Sequence, residues 1–358
     1  MLSLFWFIVV VSPIVFVHEL GHFLFARLFG VKVEIFSIGF GKSLIEYKDN
    51  KGTLWQIAII PLGGFVKMYG DENHHLTSKN THCRQSSFCN KKLWQKALIV
   101  FGGPFANYIL ALLIFTIGFS FEGIKEIKPE ITAVQEFSPA EISGLKVGDI
   151  IIDVDGKKIN SIQDLKSIIG NKSKTNVPVG IMRNNYYFII NISIQSKKSY
   201  NISPQSDNFD AIGVTFGKHY FKNVSIYKSL VFSIDKIYNI SITMTRSVLE
   251  LISFNGSQNN MGGPIKIATY SKNIAKQGLT SILHFIAVLS LNLGFVNLLP
   301  IPVLDGGYLF FYAIEGIIRK PISYHIQNIC LKIGLSIMVT IMIVTILSDI
   351  RNINLFSI

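Results

Sequence analysis

Two histidines four residues apart, with a glutamate after the first, are the most chemically suggestive group in the chain: His18-Glu19-Leu20-Gly21-His22. On a helix, positions i and i+4 lie one turn apart on the same face, so both imidazoles can reach one cation. A bound zinc lowers the pKa of its water, and a carboxylate beside the first ligand can take the proton and leave a nucleophile. That is the chemistry of metal-assisted peptide hydrolysis, with His18 and His22 as ligands and Glu19 as general base. A catalytic zinc takes three protein ligands and keeps a fourth position open. The best candidate for the third stands far along the chain, in Asn297-Leu298-Leu299-Pro300-Ile301-Pro302-Val303-Leu304-Asp305-Gly306-Gly307. Two prolines break the helix before Asp305, and two glycines allow close backbone packing after it. Asp305 would complete a two-histidine, one-carboxylate site for one zinc ion.

These groups must be held by elements that are strongly apolar. Of 358 residues, 49% are apolar and 16% charged, against roughly 25% charged in a soluble globular protein. Four stretches, at about 1–28, 98–119, 282–299 and 329–347, approach the ~20 residues a helix needs to cross a bilayer. The first has no basic lead-in and no small-residue cleavage site, so it is expected to be a retained helix and not a signal peptide. His18, Glu19 and His22 therefore fall inside an apolar span. Burying them costs several kcal/mol unless they pair or bind something, which makes a functional site the default reading over a polar patch that only packs helices together. Between the first two spans, residues 31–38 and 54–60 carry β-branched and aromatic residues and predict strands, with a tight turn at Pro61, Gly63 and Gly64. Such a β-segment can dip into a membrane only where protein or a water-filled cavity surrounds it. Residues 122–278 form a long polar insert. Its first half predicts a compact β-rich domain, and its second half a helix at 225–252 suited to a membrane surface.

The net charge is +12. Lys and Arg gather in loops beside the apolar spans, where they meet lipid headgroups and set orientation. The basic residues form no stripe interleaved with aromatics, so nucleic-acid binding is not expected. Three cysteines in a chain this long make no disulfide framework. Cys83 and Cys89 lie near His74, His75 and His82 in one polar loop, but their spacing fits no standard zinc pattern, and ordinary loop residues are the simpler reading.

The motifs at 18–22 and 297–307 together resemble the paired signatures of the site-2 protease family of intramembrane metalloproteases, most closely its bacterial branch of the regulator-of-sigma-E protease type. Pro61-Leu62-Gly63-Gly64-Phe65-Val66-Lys67-Met68, Gly103-Pro104-Phe105-Ala106-Asn107 and Gly263-Pro264-Ile265-Lys266-Ile267-Ala268 agree with that branch. The resemblance implies that His18, His22 and Asp305 bind zinc, that Glu19 is the base, and that Asn297 helps hold the substrate or the developing oxyanion. It also implies that Gly63 and Gly64 belong to an embedded β-element which takes the unwound substrate as an added strand. Ser138-Pro139-Ala140-Glu141-Ile142-Ser143-Gly144-Leu145-Lys146-Val147-Gly148-Asp149-Ile150-Ile151, followed by Val154-Asp155-Gly156, resembles a PDZ domain of the permuted bacterial kind. One such motif is visible, where the best-known relatives have two in tandem.

The expected architecture is a polytopic α-helical membrane protein with four spanning helices, a membrane-embedded β-segment and one inserted PDZ-like domain. Its parts are an N-terminal membrane half at 1–124, the PDZ-like domain at 125–196, a linker with a juxtamembrane helix at 197–280, and a C-terminal membrane half at 281–358. Basic residues in the loop from Arg27 to Lys96, with Arg319 and Lys320, put those loops in the cytoplasm. The active site then lies near the cytoplasmic side of a bacterial inner membrane, and the PDZ-like domain on the periplasmic side. Implied partners are single-pass membrane proteins such as trimmed anti-sigma factors or signal-peptide remnants, a peptide or chain end at the PDZ domain, and membrane lipids. Two other readings use the same residues. Loss of Glu19 or a ligand would mark an inactive PDZ scaffold, and none is lost; repeated halves would mark a divalent-metal transporter, and no repeat is visible.

Overall fold

The computed structural model describes residues 2–70, 86–127, 129–159, 165, 168, 176–193, 208–209, 212–216, 219–253 and 263–355. In chain order its elements are α1 (Leu2–Leu28), β1 (Val33–Lys48), β2 (Leu54–Met68), a 3-10 turn at Phe88–Asn90, α2 (Leu93–Glu122), β3 (Ile124–Ile127), β4 (Ile131–Val134), α3 (Pro139–Ile142), β5 (Ile150–Val154), β6 (Lys157–Lys158), β7 (Asn176–Arg183), β8 (Tyr186–Ser193), β9 (Asn208–Phe209), β10 (Val214–Phe216) and β11 (His219–Lys222). Five helices follow: α4 (Ile226–Ile252), α5 (Pro264–Ala275), α6 (Leu279–Asn297), α7 (Asp305–Ile318) and α8 (Tyr324–Leu355). The chain divides into two compact units, Met1–Gly118 with Ile226–Ile358, and Phe119–Ser225. His74, His75, His82 and Cys83 lie outside the described residues; Cys89 is described, as a free thiol beside the Ser87 hydroxyl at 3.0 Å.

In the first unit, α1, α2, α6 and α8 are long and apolar enough to cross a membrane, matching the four expected stretches in number and place. Helices α1 and α2 each hold an internal proline, Pro13 and Pro104. In water such residues break helices, whereas among packed apolar helices neighbouring groups re-satisfy the freed carbonyl. The backbones of α1 and α2 touch: a Cβ on Gly21 would collide with the Gly102 carbonyl, and one on Gly102 would meet the Gly21 carbonyl at 2.8 Å. Val10 and Ile14 of α1 pack on Ile282 and Ile286 of α6. Helix α1 is thus gripped by α2 and α6.

The strands β1 and β2 are longer than expected, because each runs on past its glycines and folds back on itself. Residues 33–38 pair with 64–68, and Ile35 to Ile38 also stand beside Leu54 to Ile57. Residues 43–48 pair antiparallel with 54–58. The chain reverses direction between Ile60 and Gly64, at the expected turn, which is an irregular passage within β2 bent where Gly63 takes φ +108. Gly39 and Gly41, at φ +89 and +92, bend β1 in the same way. All three adopt a left-handed region that a side chain would strain. Residues 33–38 and 54–57 are bordered on both sides, while 43–48 and 64–68 form the outer edges.

The second unit is β-rich. One sheet has the order β6-β5-β7-β8 and another β4-β10-β9, with β3 paired to β11. Ile131, Ile151, Val179, Ile181, Ile212 and Phe216 lie wholly buried in its core. The unit runs past the expected boundary at 196. Residues 212–216 form no second domain: β10 pairs with β4 and supplies Ile212, Val214 and Phe216 to the same core. Asp149 is buried and takes a two-pronged ion pair from Arg183, Nε to Oδ1 and Nη2 to Oδ2, both at 2.6 Å. A third bond from Arg183 reaches the Gly144 carbonyl at 2.8 Å, so Arg183 ties the glycine-rich loop to the sheet.

Candidate metal centre

Helix α1 presents His18 and His22 toward α2 and the start of α7. Their Nε2 atoms lie 3.2 Å apart. The Oδ2 atom of Asp305 lies 3.2 Å from His18 Nε2 and 3.5 Å from His22 Nε2. One ligand atom from each residue falls within 4.8 Å of every other. The structure therefore brings together three residues that the sequence separates by nearly 290 positions.

Asp305 reaches this place because α6 ends abruptly. Pro300 cannot continue a helix, and the residue before a proline is pushed toward extended backbone. Residues 298–304 form a compact turn, with Ile301 N–H donating to Leu299 O at 2.7 Å and Leu304 N–H to Ile301 O at 3.1 Å. Val303 sits at φ +93, a strained conformation for a β-branched residue. Helix α7 then begins at Asp305 itself. Gly306 and Gly307 nest its first turn onto the broken segment, since a Cβ on either would collide with the carbonyls of Leu299 or Ile301. Gly334 of α8 approaches the Pro302 carbonyl as closely from the other side.

The imidazoles are held from behind by α2. His22 Nδ1 donates to the Ile99 carbonyl at 3.0 Å, which leaves Nε2 with a lone pair directed at the cluster. Gly103 gives both rings their room, as a Cβ there would lie 2.6 Å from His22 Cε1 and 2.8 Å from His18 Cε1. His18 has two amide neighbours, Asn107 Nδ2 at 3.2 Å from Nδ1 and Asn297 Nδ2 at 3.3 Å from Nε2. Glu19 is buried and lies within electrostatic range of His22, His18 and Asp305. A Cβ on Gly64 would sit 2.9 Å from Glu19 Cγ and 2.7 Å from the Ser37 carbonyl. Gly64 thus lets the outer arm of β2 pass directly beside the candidate base, while Gly63 supplies the bend with its ring neighbour Phe40 at 2.6 Å from the same imagined carbon.

The structure gathers His18, His22 and Asp305 as a group that could hold a metal, with Glu19 and Asn297 beside them and Gly63 and Gly64 along the adjoining strand. Sequence reasoning did not single out Gly103, Ile99 or the side chain of Asn107 as supports. For Asn107 a signal was present, a lone amide within an apolar span. The Ile99 carbonyl carries no signal, because any residue has one.

The donor set fits zinc. Two imidazole nitrogens and a carboxylate oxygen converge, and Asp305 Oδ2 is buried without a hydrogen-bond partner. Such a converging set suits a cation, and two histidines with one carboxylate is a catalytic zinc arrangement. Fold and site together define a metallopeptidase-type centre framed by helices long enough to span a membrane. The sequence profile of peptidase family M50, the site-2 protease family, matches residues 6–341, and the chain belongs to that family.

Relatives agree over nearly full length. The protein named "Putative zinc metalloprotease RC0203" of Rickettsia conorii is 36% identical over 357 residues, covering 98% of this chain and 99% of its own. A like-named protein of Agrobacterium fabrum is 32% identical, covering 97% and 95%. Another, of Campylobacter jejuni, is also 32% identical, covering 97% and 92%. Among solved structures, the PDZ domain of HtrA3 bound to a phage-derived ligand matches 20% of this chain and 80% of its own length. That match has 18% identity and a TM-score of 0.18, a likeness of a size that decides nothing about this chain's fold.

Proposed function

We propose that the chain is an intramembrane zinc metalloendopeptidase that hydrolyses a peptide bond in or near a transmembrane segment of another membrane protein. The observation that carries this reading is the convergence of His18, His22 and Asp305 beside a buried Glu19, on helices apolar enough to span a bilayer. Those three residues would hold one zinc ion. When bound, it supplies Lewis acidity that activates water and polarises the scissile carbonyl. Glu19 accepts the proton from the attacking water and returns it to the leaving amine, a role its burial next to the ligands favours. Asn297 turns an amide N–H toward the ligand cluster and donates to the oxygen that gains charge. Among the described residues the outer arm at 64–68 pairs with a strand on one side only, beside Glu19, and an extended substrate segment adds to its other edge as a strand. A helical substrate must unwind there, since helical hydrogen bonding shields the peptide bond.

The partners follow from the same reading. Substrates are single-pass membrane proteins of the trimmed anti-sigma factor or signal-peptide remnant type. The unit at Phe119–Ser225 is a PDZ-like domain that takes a peptide or chain end. The motif from Ser138 to Gly156 supports this, and in the structure it forms α3, the glycine loop and β5. The basic loops favour a metal centre near the cytoplasmic side of a bacterial inner membrane and a PDZ-like unit on the periplasmic side.

The test is cleavage of a model transmembrane substrate by purified protein in detergent, wild type against Glu19→Gln at matched zinc content. The reading requires that wild type cut and that the variant hold zinc without cutting. Equal cleavage by both would remove Glu19 from the mechanism. Failure of wild type on several trimmed substrates would favour a binding or transport role.

A further inference from the structure

Asn107 is the one amide side chain in the middle of α2, and it is wholly buried. Its backbone is fixed from the far side, where Ser290 Oγ of α6 donates to its carbonyl at 2.9 Å. Its side chain meets His18 Nδ1 at 3.2 Å through the atom placed as Nδ2, while Oδ1 has no hydrogen-bond partner. The two ends of an amide exchange by a half-turn about the last side-chain bond, at no steric cost. The two orientations have opposite consequences for His18. With N–H toward the ring, Nδ1 is the acceptor and the ring proton sits on Nε2, where it blocks metal binding. With C=O toward the ring, Nδ1 carries the proton and Nε2 keeps its lone pair for the cluster shared with His22 and Asp305.

His22 shows which arrangement the site uses. Its Nδ1 faces the Ile99 backbone carbonyl, which can only accept, so that ring is locked with Nε2 free. Ile99 and Asn107 are eight residues apart on α2, which places both on the stripe that faces α1. Metal-ligating histidines generally donate their second ring N–H to such an acceptor, which fixes tautomer and orientation.

We propose that Asn107 is a positioning residue: its side-chain carbonyl accepts the Nδ1–H of His18 and so fixes the tautomer that presents Nε2 to the zinc. The inference rests on the zinc reading above. Helix α2 then supplies the outer acceptor for both histidine ligands, one from its backbone and one from this side chain. No part of the role requires contact with substrate.

The experiment measures zinc affinity of the full chain in detergent by competition with a fluorescent chelator. Wild type is compared with Asn107→Leu, which keeps the volume and loses the acceptor, and Asn107→Asp, which keeps the acceptor and loses the N–H. Expected are a loss of about 10–100-fold in affinity for Asn107→Leu and an affinity near wild type for Asn107→Asp. If Asn107→Leu binds zinc as tightly as wild type, the proposal is overturned. The same follows if Asp fails along with Leu while both fold, because the amide would then serve as donor or as packing. Nitrogen-15 NMR of histidine-labelled, zinc-loaded wild type gives a second decision that no variant's folding can disturb. A protonated Nδ1 and metal-bound Nε2 on His18 support the assignment, and the reverse pattern refutes it. Wild type that binds no zinc at all would bring down the metal reading itself, an outcome distinct from either failure of Asn107.

Discussion

A single methyl group at position 103 should weaken the metal centre. Gly103 lies on α2 directly behind both imidazoles, and its absent side chain would lie 2.6 Å from His22 Cε1 and 2.8 Å from His18 Cε1, with His22 Nε2 closer still. Ordinary contact for such a carbon begins at about 3.4 Å, so each ring must retreat by more than half an ångström. Neither ring retreats freely. His22 is pinned by its bond to Ile99, and α1 is pressed on α2 through Gly21 and Gly102. Zinc sites hold their ligand distances to within about 0.2 Å, so a shift of this size should cost at least tenfold in affinity, or about 1.4 kcal/mol. Helix propensity works the other way, since alanine is better than glycine in a helix interior by up to ~1 kcal/mol. Gly103→Ala should therefore bind zinc at least tenfold more weakly without losing the helix. The assay is zinc content after dialysis together with chelator competition, set against the thermal unfolding midpoint of the metal-free protein. Gly118→Ala is the control on the same helix, because its new methyl group would meet only His284 Nε2, at a comfortable 3.9 Å. Gly103→Ala that holds zinc at wild-type affinity would refute the claim that the α1–α2 contact sets the ligand geometry.

Two further outcomes follow from the same structure. Val303 at φ +93 carries strain of about 1–3 kcal/mol just before Asp305, and glycine would relieve it at an entropic cost of up to about 1 kcal/mol; Val303→Gly should raise the unfolding midpoint slightly, while Val303→Ile should not. Arg183→Met should leave the buried Asp149 carboxylate without its two-pronged partner, costing about 3 kcal/mol in the second unit, visible as faster limited proteolysis between Phe119 and Ser225 while zinc content stays unchanged.

Much of the site could be read from the chain because its chemistry is written in short, local patterns. A His-x-x-x-His pair needs only a helix to become two ligands on one face, and an apolar span supplies that helix. The four candidate spans were legible for the same reason: length and apolar content are local quantities, and a bilayer demands both. The broken helix before Asp305 was visible in Pro300 and Pro302, since proline acts on its own backbone wherever it stands.

What the sequence left open depended on contacts between distant segments. The strands β1 and β2 run past their glycines because the first arm of each is paired on two sides and its second arm returns to pair again, and such pairing depends on neighbours more than on propensity. Residues 212–216 join the sheet of the inserted unit through β4, about 80 positions away, so no local signal assigned them to it. The glycines at 21, 102 and 103 carry no signal of their role in sequence, and only the packed pair of helices shows that they make room for the other backbone and for two imidazoles. The sequence determined which atoms could bind a metal and that they would lie among apolar helices. The tertiary structure alone decided that His18, His22 and Asp305 meet within 4.8 Å, with α2 holding both rings from behind, because that convergence is a property of helix packing and not of any one segment.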